Sequence, residues 1–227
     1  VADDPGQHSS QNEQDSRYFG IFGKIPVIEP SDSQECKDFI GISLDISEQF
    51  DTPVIFRTST RVSHSQSMVA LNDRKNDELK PYDKNPNKYI VAPAVAKKRR
   101  VIAEAKMKKL EEFAETTPLN KIEEGTSDIG IITSGIAYQY AKEVMPDASF
   151  LKLGMSHPLP KEKITNFVKK YKKVYVIEEL EPIFEEKIKS WGLEVIGKDI
   201  FPVIGELSPE IIRNAVMNTS AQTIKFD

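Results

Sequence analysis

Short apolar runs alternate with amphipathic segments along the first third of the chain. Residues 25–28 and 53–58 are rich in β-branched side chains and are bounded by polar or proline residues, which is typical of buried strands. Between Phe39 and Phe50, apolar residues recur at broadly helical spacing, with Ser31 or Ser33 as the candidate N-cap. A strand, a helix of this length and a second strand predict a parallel βαβ unit.

The chain opens with a short apolar lead, Val1 and Ala2, which runs into the polar stretch 3–20. This order predicts the end of a buried strand followed by a loop at its carboxyl end, where open α/β sheets bind ligands. A complete domain rarely opens on its most polar and specific segment. We therefore expect the chain to be a piece of a larger protein, cut just before a site loop.

Within that stretch, Ser10 and Glu13 have the spacing of a capping box and predict a short helix that ends near residue 20. Arg17 on this helix could hold a substrate carboxylate, with hydrogen-bonding side chains around it from Gln7, His8, Ser9, Ser10 and Gln11. Arg17 could equally pair with Glu13 at i,i+4 on the helix surface. The residues alone leave both interpretations open.

Residues 58–65 follow the second predicted strand and carry five hydroxyl groups together with Arg61 and His64. Because the carboxyl ends of parallel strands meet at one edge of a sheet, this loop should lie beside residues 3–17. With Arg57, these side chains could bind an anionic ligand or line a subunit contact. An ordinary polar loop is the alternative.

Residues 66–93 show no hydrophobic periodicity of a helix or a strand, and we interpret them as an irregular surface connection. A strong helix is predicted for 94–113, with Lys97-Lys98-Arg99-Arg100 on a solvated face. After a second linker at 120–125, four strands are predicted in alternation with helices, at 128–133, 150–153, 174–177 and 193–196. This order predicts a second, mainly parallel α/β unit, so the fold class is α/β with two parallel-sheet units.

Two further motifs have a structural interpretation. Ser134-Gly135, at a strand-to-helix turn, could seat a phosphate, but the glycine-rich fingerprint of dinucleotide folds is missing, and a tight turn is the simpler explanation. Glu178, Glu179 and Glu181 form an acidic cluster at a strand end without His or Asp nearby, so we assign them a structural or interface role. No metal site is predicted.

Composition and charge exclude several classes of protein. A net charge of −4 argues against nucleic-acid binding, which needs an excess of lysine and arginine. The one cysteine, Cys36, excludes an intrachain disulfide framework and an all-cysteine cluster site within this chain. No apolar run approaches the ~20 residues that span a bilayer, and the first residues lack a signal-peptide pattern. We therefore expect no membrane contact and a cytoplasmic location.

The string DPGQHSSQNEQDSR, from Asp4 to Arg17, strongly resembles the thiamine-diphosphate-dependent 2-oxoacid:ferredoxin oxidoreductases, and within them the large subunits that act on indolepyruvate. Further strings agree in order along the chain. They are PVIEP from Pro26, RTSTRVSHS from Arg57, ITSGIAY from Ile132, LKLGM from Leu151, PLP from Pro158 and VIEELEP from Val176. The resemblance covers essentially the whole chain.

The resemblance implies that residues 1–115 are the later half of a pyrimidine-binding domain and residues 126–227 a transketolase C-terminal-like domain. It implies oxidative decarboxylation of an aryl 2-oxoacid to an acyl-CoA, with electrons passed to ferredoxin. It places Arg17 near the substrate carboxylate, with His8, Ser9 and Gln11 lining the same pocket. No catalytic residue is implied within this chain.

The implied cofactors are thiamine diphosphate with Mg²⁺ and iron–sulfur clusters. The family's activating glutamate would precede Val1, and its Gly-Asp-Gly and cluster motifs would follow Asp227, so this segment should be inactive alone. The implied partners are a smaller beta subunit, ferredoxin and coenzyme A. Two alternatives remain open: a non-catalytic α/β interaction module, and a thiamine enzyme of the transketolase type.

Overall fold

The computed structural model describes residues 1–74, 81–90 and 92–217. The first unit consists of short strands and helices. They are β1 (Ala2–Asp3), α1 (Arg17–Gly23), β2 (Val27–Ile28), α2 (Ser33–Phe50), β3 (Ile55–Phe56), β4 (Thr58–Ser59) and α3 (Thr60–His64). β2 pairs in parallel with β3, with Val27 opposite Ile55, and α2 connects them. The predicted parallel βαβ unit is confirmed.

The N-cap of α2 is Asp32, not Ser31 or Ser33. The Asp32 carboxylate accepts a hydrogen bond from the Glu35 backbone N–H at 2.8 Å. The Ser31 hydroxyl donates instead to the Glu35 carboxylate at 2.9 Å. An aspartate one position from each candidate serine thus satisfies the free N–H group at the start of the helix.

The middle of the chain holds the one-turn α4 (Pro86–Tyr89) and the long α5 (Pro93–Thr116). Of the predicted irregular connection at 66–93, residues 75–80 and 91 lie outside the described residues, and residues 66–74 carry no helix or strand. The predicted helix at 94–113 is confirmed. Its buried residues, Met107, Leu110 and Ala114, all lie in its second half.

The second unit is larger. It contains β5 (Asn120–Glu123), β6 (Ile129–Thr133), α6 (Gly135–Val144), β7 (Ser149–Leu153), β8 (Met155–His157), α7 (Lys161–Lys170), β9 (Lys173–Ile177), α8 (Ile183–Ser190) and α9 (Pro209–Met217). Its sheet has the order β5-β7-β6-β9, and β6 pairs in parallel with both β7 and β9. Separate apolar clusters pack on the two faces of this sheet. The predicted mainly parallel unit is confirmed.

Three elements of the second unit differ from the prediction. β5, predicted as a linker, is an antiparallel edge strand on β7, and its sequence has one apolar residue, Ile122, which is exposed. β8, which is not among the predicted strands, pairs antiparallel with β2, with Val27 opposite His157, and so joins the two units. The strand predicted at 193–196 is reduced to one bridge between Ile196 and Tyr175.

The capping-box helix predicted from Ser10 is wrong. The backbone N–H and hydroxyl of Ser10 donate to the Asp4 carboxylate, and the Glu13 carboxylate accepts from the N–H groups of Gly6 and Gly205. Both members of the box therefore have partners elsewhere in the fold. The helix begins only at Arg17.

Among the residues that the structure describes, no helix is long and apolar enough to cross a membrane.

Candidate functional site

The loop after β1 is built around the Asp4 carboxylate. One oxygen accepts from the backbone N–H groups of Ser9 and Ser10 at 2.7 and 2.8 Å, and the other accepts from the Thr60 hydroxyl at 2.6 Å. The Thr60 hydroxyl, followed by these backbone groups, holds the pKa of Asp4 well below its usual range. A chain reversal at Gly6 (φ +84°) and Gln7 (φ +53°) brings the serines back to Asp4.

This loop places three of the predicted ligand residues together on the surface. The side chains of His8, Ser9 and Gln11 are exposed, since the hydrogen bonds that fix the loop are made by the backbone and by Asp4. The imidazole Nε2 of His8 lies 3.3 Å from a carboxylate oxygen of Glu206. The loop therefore presents imidazole, hydroxyl and amide groups to solvent from a fixed backbone.

The expectation that residues 58–65 lie at the same edge is confirmed. β1 pairs in parallel with β4, with Asp3 opposite Ser59. Arg61 then makes a two-pronged contact with Glu206, with both N···O distances at 2.5 Å. His64 is exposed at the end of α3.

Arg17 points into the protein and is 1% exposed. Its Nε donates to Asp15 at 2.9 Å, its Nη1 to Glu178 at 2.6 Å, and its Nη2 to Asp15 at 2.5 Å. The Nη2 group also lies 3.0 Å from the carbonyl oxygens of Glu179 and Glu181, and the guanidinium carbon is 4.8 Å from the Phe184 ring centroid. The guanidinium is therefore bound by the protein's own acceptors.

The electrostatics around Arg17 favour the charged forms of Arg17 and Asp15. Burial alone disfavours the guanidinium charge, but the Asp15 and Glu178 carboxylates outweigh it and raise the pKa of Arg17. Burial likewise opposes ionisation of Asp15, yet Arg17 lowers the pKa of Asp15 to about 2. The surface pairing of Arg17 with Glu13 is wrong, because Arg17 is buried and its carboxylate partners are Asp15 and Glu178. The role of Arg17 in binding a substrate carboxylate stays a prediction.

Arg57 forms a second buried pair beside the first and is 2% exposed. Its Nε donates to Asp3 at 2.6 Å and its Nη1 to Glu29 at 2.5 Å. The Arg57 Nη2 group and one Glu29 carboxylate oxygen have no hydrogen-bond partner in the part of the chain that the structure describes. Arg57 thus lies inside the protein, and the predicted contact with an anion or a subunit stays a prediction for it.

Seven buried charged residues therefore meet between the two units. We call this set the ionic junction: Asp3, Asp15, Arg17, Glu29, Arg57, Glu178 and Glu179. Sequence reasoning missed Glu29 as a member. The signal was present, because Glu29 directly follows the buried strand residues Val27 and Ile28, where a charged side chain needs a partner.

The two second-unit glutamates have structural roles, as predicted for the acidic cluster. Glu178 accepts from the backbone N–H groups of Phe184 and Glu185 at the start of α8, at 3.0 to 3.1 Å, besides its bond to Arg17. Glu179 accepts from the Leu207 N–H at 3.1 Å. Burial raises the pKa of Glu179 to about 7, with Arg57 opposing the shift and Glu29 and Glu206 adding to it.

Gly135 is required where α6 begins beside Glu29. Its φ is +53°, and an added Cβ would lie 2.7 Å from a Glu29 carboxylate oxygen. We expect Gly135→Ala to lower the free energy of unfolding by about 2 kcal/mol, because left-handed backbone strain adds to displacement of a buried carboxylate. Urea unfolding followed by circular dichroism measures this.

The matched control is Gly41→Ala in α2, where nothing lies within 4 Å of the added Cβ. That change should raise stability by about 0.5–1 kcal/mol, because alanine is the better helix former. Equal effects at the two glycines would contradict the assignment of Gly135.

Within the described ranges, no group of three or more His, Cys, Asp or Glu side chains is arranged to hold a metal ion. Cys36 is a free, partly buried thiol in α2.

Comparison with known proteins gives no match to a family model. The chain is 42% identical over 205 residues to the indolepyruvate oxidoreductase subunit IorA of Archaeoglobus fulgidus, an alignment that covers 87% of the chain and 33% of that protein. It is 36% identical over 230 residues to the subunit of the same name from Methanothermobacter marburgensis, covering 95% of the chain and 37% of that protein.

Among solved structures, the chain is similar to a 2-oxoglutarate:ferredoxin oxidoreductase from Magnetococcus marinus. The TM-score is 0.66 at 17% identity, over 96% of this chain and 48% of that one, which shows the fold. The chain spans about a third of the length of the curated relatives. Over that third its sequence is similar to IorA subunits at 36–42% identity, and its fold is that of a 2-oxoacid:ferredoxin oxidoreductase.

Proposed function

We propose that this chain is part of the larger subunit of an indolepyruvate:ferredoxin oxidoreductase. The subunit would catalyse the oxidative decarboxylation of an aryl 2-oxoacid to an acyl-CoA and pass the electrons to ferredoxin. The observation that carries this proposal is the 42% identity to an IorA subunit over most of the chain. That relationship disfavours the non-catalytic module.

The proposed substrate contacts lie in the loop after β1. His8, Ser9 and Gln11 are exposed on a backbone that Asp4 holds in place, so they can bond the oxygens of a 2-oxoacid without reorganising the loop. Arg17 follows Gln11 by six residues and is the first residue of α1. A direct contact between Arg17 and a substrate carboxylate requires Glu178 or Asp15 to give up its bond to the guanidinium.

The proposed domain division keeps residues 1–115 as the later half of a pyrimidine-binding domain and residues 126–227 as a transketolase C-terminal-like domain. The strand order supports it, because β1 to β4 pair among themselves, as do β5, β6, β7 and β9. β8 crosses from the second part to pair with β2. Residues 218–227 lie outside the described residues.

The cofactors of such an enzyme do not fit the residues of this chain. An iron–sulfur cluster needs several thiolate ligands, and the chain has one cysteine. The described residues also offer no cluster of carboxylates for the Mg²⁺ of thiamine diphosphate. In the proposal these groups are held by other parts of the complete subunit, and no chemical step is assigned to this chain through them.

The proposed partners are a smaller beta subunit, ferredoxin and coenzyme A, and the proposed location is the cytoplasm. The complete subunit, produced anaerobically with its partner, should reduce a low-potential dye only when an aryl 2-oxoacid and coenzyme A are both present. We expect indolepyruvate to be preferred over 2-oxoglutarate by at least about tenfold in kcat/KM. A preference for 2-oxoglutarate, or no dye reduction with any 2-oxoacid, would contradict the proposal.

The loop contacts have their own test in the same assay. Gln11→Ala should raise KM for the 2-oxoacid by about fivefold while the unfolding curve stays unchanged, because an exposed side chain makes little contribution to stability. Asn12→Ala, at the next position along the loop, is the control. An equal change in KM for both variants would contradict the role of Gln11.

A further inference from the structure

His8, in the loop after β1, is in contact with a carboxylate of the second unit. Its imidazole Nε2 lies 3.3 Å from the Oε2 atom of Glu206, and the His8 side chain is 38% exposed. Glu206 lies in the segment before α9, far along the chain from His8. The surroundings of this candidate substrate residue are therefore completed by the second unit.

The position of Glu206 is fixed by two sets of hydrogen bonds. Arg61 donates to both of its carboxylate oxygens, with each N···O distance at 2.5 Å. The backbone N–H of the preceding residue, Gly205, donates to Glu13 at 2.8 Å. The Glu206 carboxylate therefore meets the His8 ring from a defined position.

This contact decides which nitrogen of the His8 ring carries hydrogen. The hydrogen bonds from Arg61 lower the pKa of Glu206, so its carboxyl group is ionised at neutral pH and can only accept hydrogen bonds. An unprotonated Nε2 would bring two acceptors together at 3.3 Å, and the hydrogen therefore lies on Nε2. In the neutral imidazole the other nitrogen, Nδ1, is then a hydrogen-bond acceptor.

An acceptor at Nδ1 does not match the acid end of a 2-oxoacid. The carboxylate and keto oxygens of that end only accept hydrogen bonds, so they need donors from the protein. The Ser9 hydroxyl and the Gln11 amide can supply donors from the same loop, and both residues are exposed. The neutral His8 ring instead needs a ligand that brings its own N–H or O–H group.

We propose that His8 accepts a hydrogen bond at Nδ1 from the ring N–H of an indole substrate and so selects indolepyruvate over phenylpyruvate. This role rests on the proposed function and assigns His8 to the aryl end of the substrate, which leaves Ser9 and Gln11 for its oxygens. The indole nitrogen is a donor only, whereas a phenyl ring has no such group. Glu206 is the positioning residue, because it holds the hydrogen on Nε2 and keeps Nδ1 an acceptor.

The kinetic test compares two substrates of the complete subunit with its partner. The ratio of kcat/KM for indolepyruvate to kcat/KM for phenylpyruvate is measured at about pH 8.5, above the range in which histidine rings ordinarily take up a proton. His8→Leu, which removes the acceptor, should lower this ratio about tenfold. His8→Asn, whose amide oxygen can take the place of Nδ1, should keep the ratio within about threefold of the original.

Two further variants separate positioning from general damage to the loop. Glu206→Leu should lower the ratio about fivefold, because the His8 ring then populates both tautomers. Asn12→Leu makes an apolar change in the same loop and should leave the ratio unchanged. Damage to the loop alone would affect both substrates alike and cancel in the ratio. Circular dichroism checks that every variant is folded.

The tautomer is measured without turnover on the 227-residue chain at the same pH. The chain has three histidines, so long-range ¹H–¹⁵N correlation spectra of histidine-labelled protein contain three sets of ring signals. The set that is lost in His8→Leu belongs to His8 and should show hydrogen on Nε2. In Glu206→Leu the same set should show a mixture of both tautomers.

Three results would overturn this role of His8. One is a His8 ring with hydrogen on Nδ1, which has no acceptor to offer an indole. Another is a ratio that His8→Leu leaves unchanged in an enzyme that oxidises both acids, which leaves the proposed function standing. The third is no turnover of either acid, which contradicts the proposed function and with it the role of His8.

Discussion

Replacing Arg17 with methionine is expected to lower the free energy of unfolding by about 3–5 kcal/mol. Methionine fills much of the same space, but it leaves the carboxylates of Glu178 and Asp15 buried beside each other without their cation. The cost comes from those uncompensated charges, not from lost apolar contact. Urea unfolding at pH 7, followed by circular dichroism, measures it.

Arg61→Met is the matched control. Arg61 also makes a two-pronged ion pair, with Glu206, but its side chain is 49% exposed. Water screens such a pair, so its removal should cost less than about 1 kcal/mol. Similar losses in the two variants would show that the ionic junction is not shielded from solvent, contrary to the burial of Arg17.

Glu179→Gln is expected to stabilise the protein increasingly as pH rises. The folded-state pKa of Glu179 is raised from 4.5 to about 7 by burial. The folded form therefore binds a proton more tightly than the unfolded form, and Glu179 contributes stability below pH 4.5 that is lost as pH rises through 7. A shift of about 2.5 corresponds to about 3 kcal/mol. The glutamine keeps the bond from Leu207 without the proton equilibrium.

The measurement is urea unfolding of both proteins between pH 4.5 and 8. The difference in stability should be close to zero at pH 4.5, should grow up to pH 7 and should then stay constant at about 3 kcal/mol in favour of the variant. Glu194→Gln, which removes an exposed carboxylate from the same unit, is the charge-matched control. A difference that does not change with pH would show that Glu179 ionises freely in the folded state.

Over part of this pH range, His157 makes the stability depend on pH with the opposite sign to Glu179. Burial, together with Lys187 and Lys24, lowers the pKa of His157 from 6.5 to about 4. A lowered folded pKa contributes stability above pH 6.5 that is lost as pH falls through 4. Between pH 4.5 and 6.5 the two dependences have opposite signs and largely cancel in the original protein. Glu179→Gln should therefore reveal a stability that rises with pH in that interval.

The burial of Arg17 bears on the proposed substrate contact. A substrate carboxylate at Arg17 would compete with Glu178, which arrives from the second unit and lies 161 residues along the chain. The same arginine would then link substrate binding to the contact between the two units. The stability of Arg17→Met therefore has to be known before its kinetics are interpreted.

Regular helices were predictable from the sequence because their periodicity is local. α5, α7 and α8 each carry an apolar face against the core. The structure places α5 within a few residues of the predicted 94–113, and α7 and α8 are among the helices predicted between the strands of the second unit. β6, β7 and β9 were predictable for a related reason. They are buried on both faces, and most of their residues are apolar.

The edge strands escaped prediction because their pairing is not local. β5 needs only one covered face, so Asn120 to Glu123 lack an apolar pattern. β8 is a strand because β2, about 130 residues earlier in the chain, offers a free edge to it. The capping box at Ser10 and Glu13 failed for a similar reason, since a buried aspartate and a distant glycine N–H were better partners.

Local sequence was sufficient to predict two parallel α/β units in this protein. It also determined that the polar loops after β1 and β4 share one edge, because hydrophobic periodicity and the direction of parallel strands are properties of local sequence. Which charges meet at that edge depends on how distant parts of the chain fold together. Arg17 could have paired with Glu13 four residues away, but the fold brings Glu178 and Asp15 around it, and burial makes those contacts far stronger than a solvent-exposed pair.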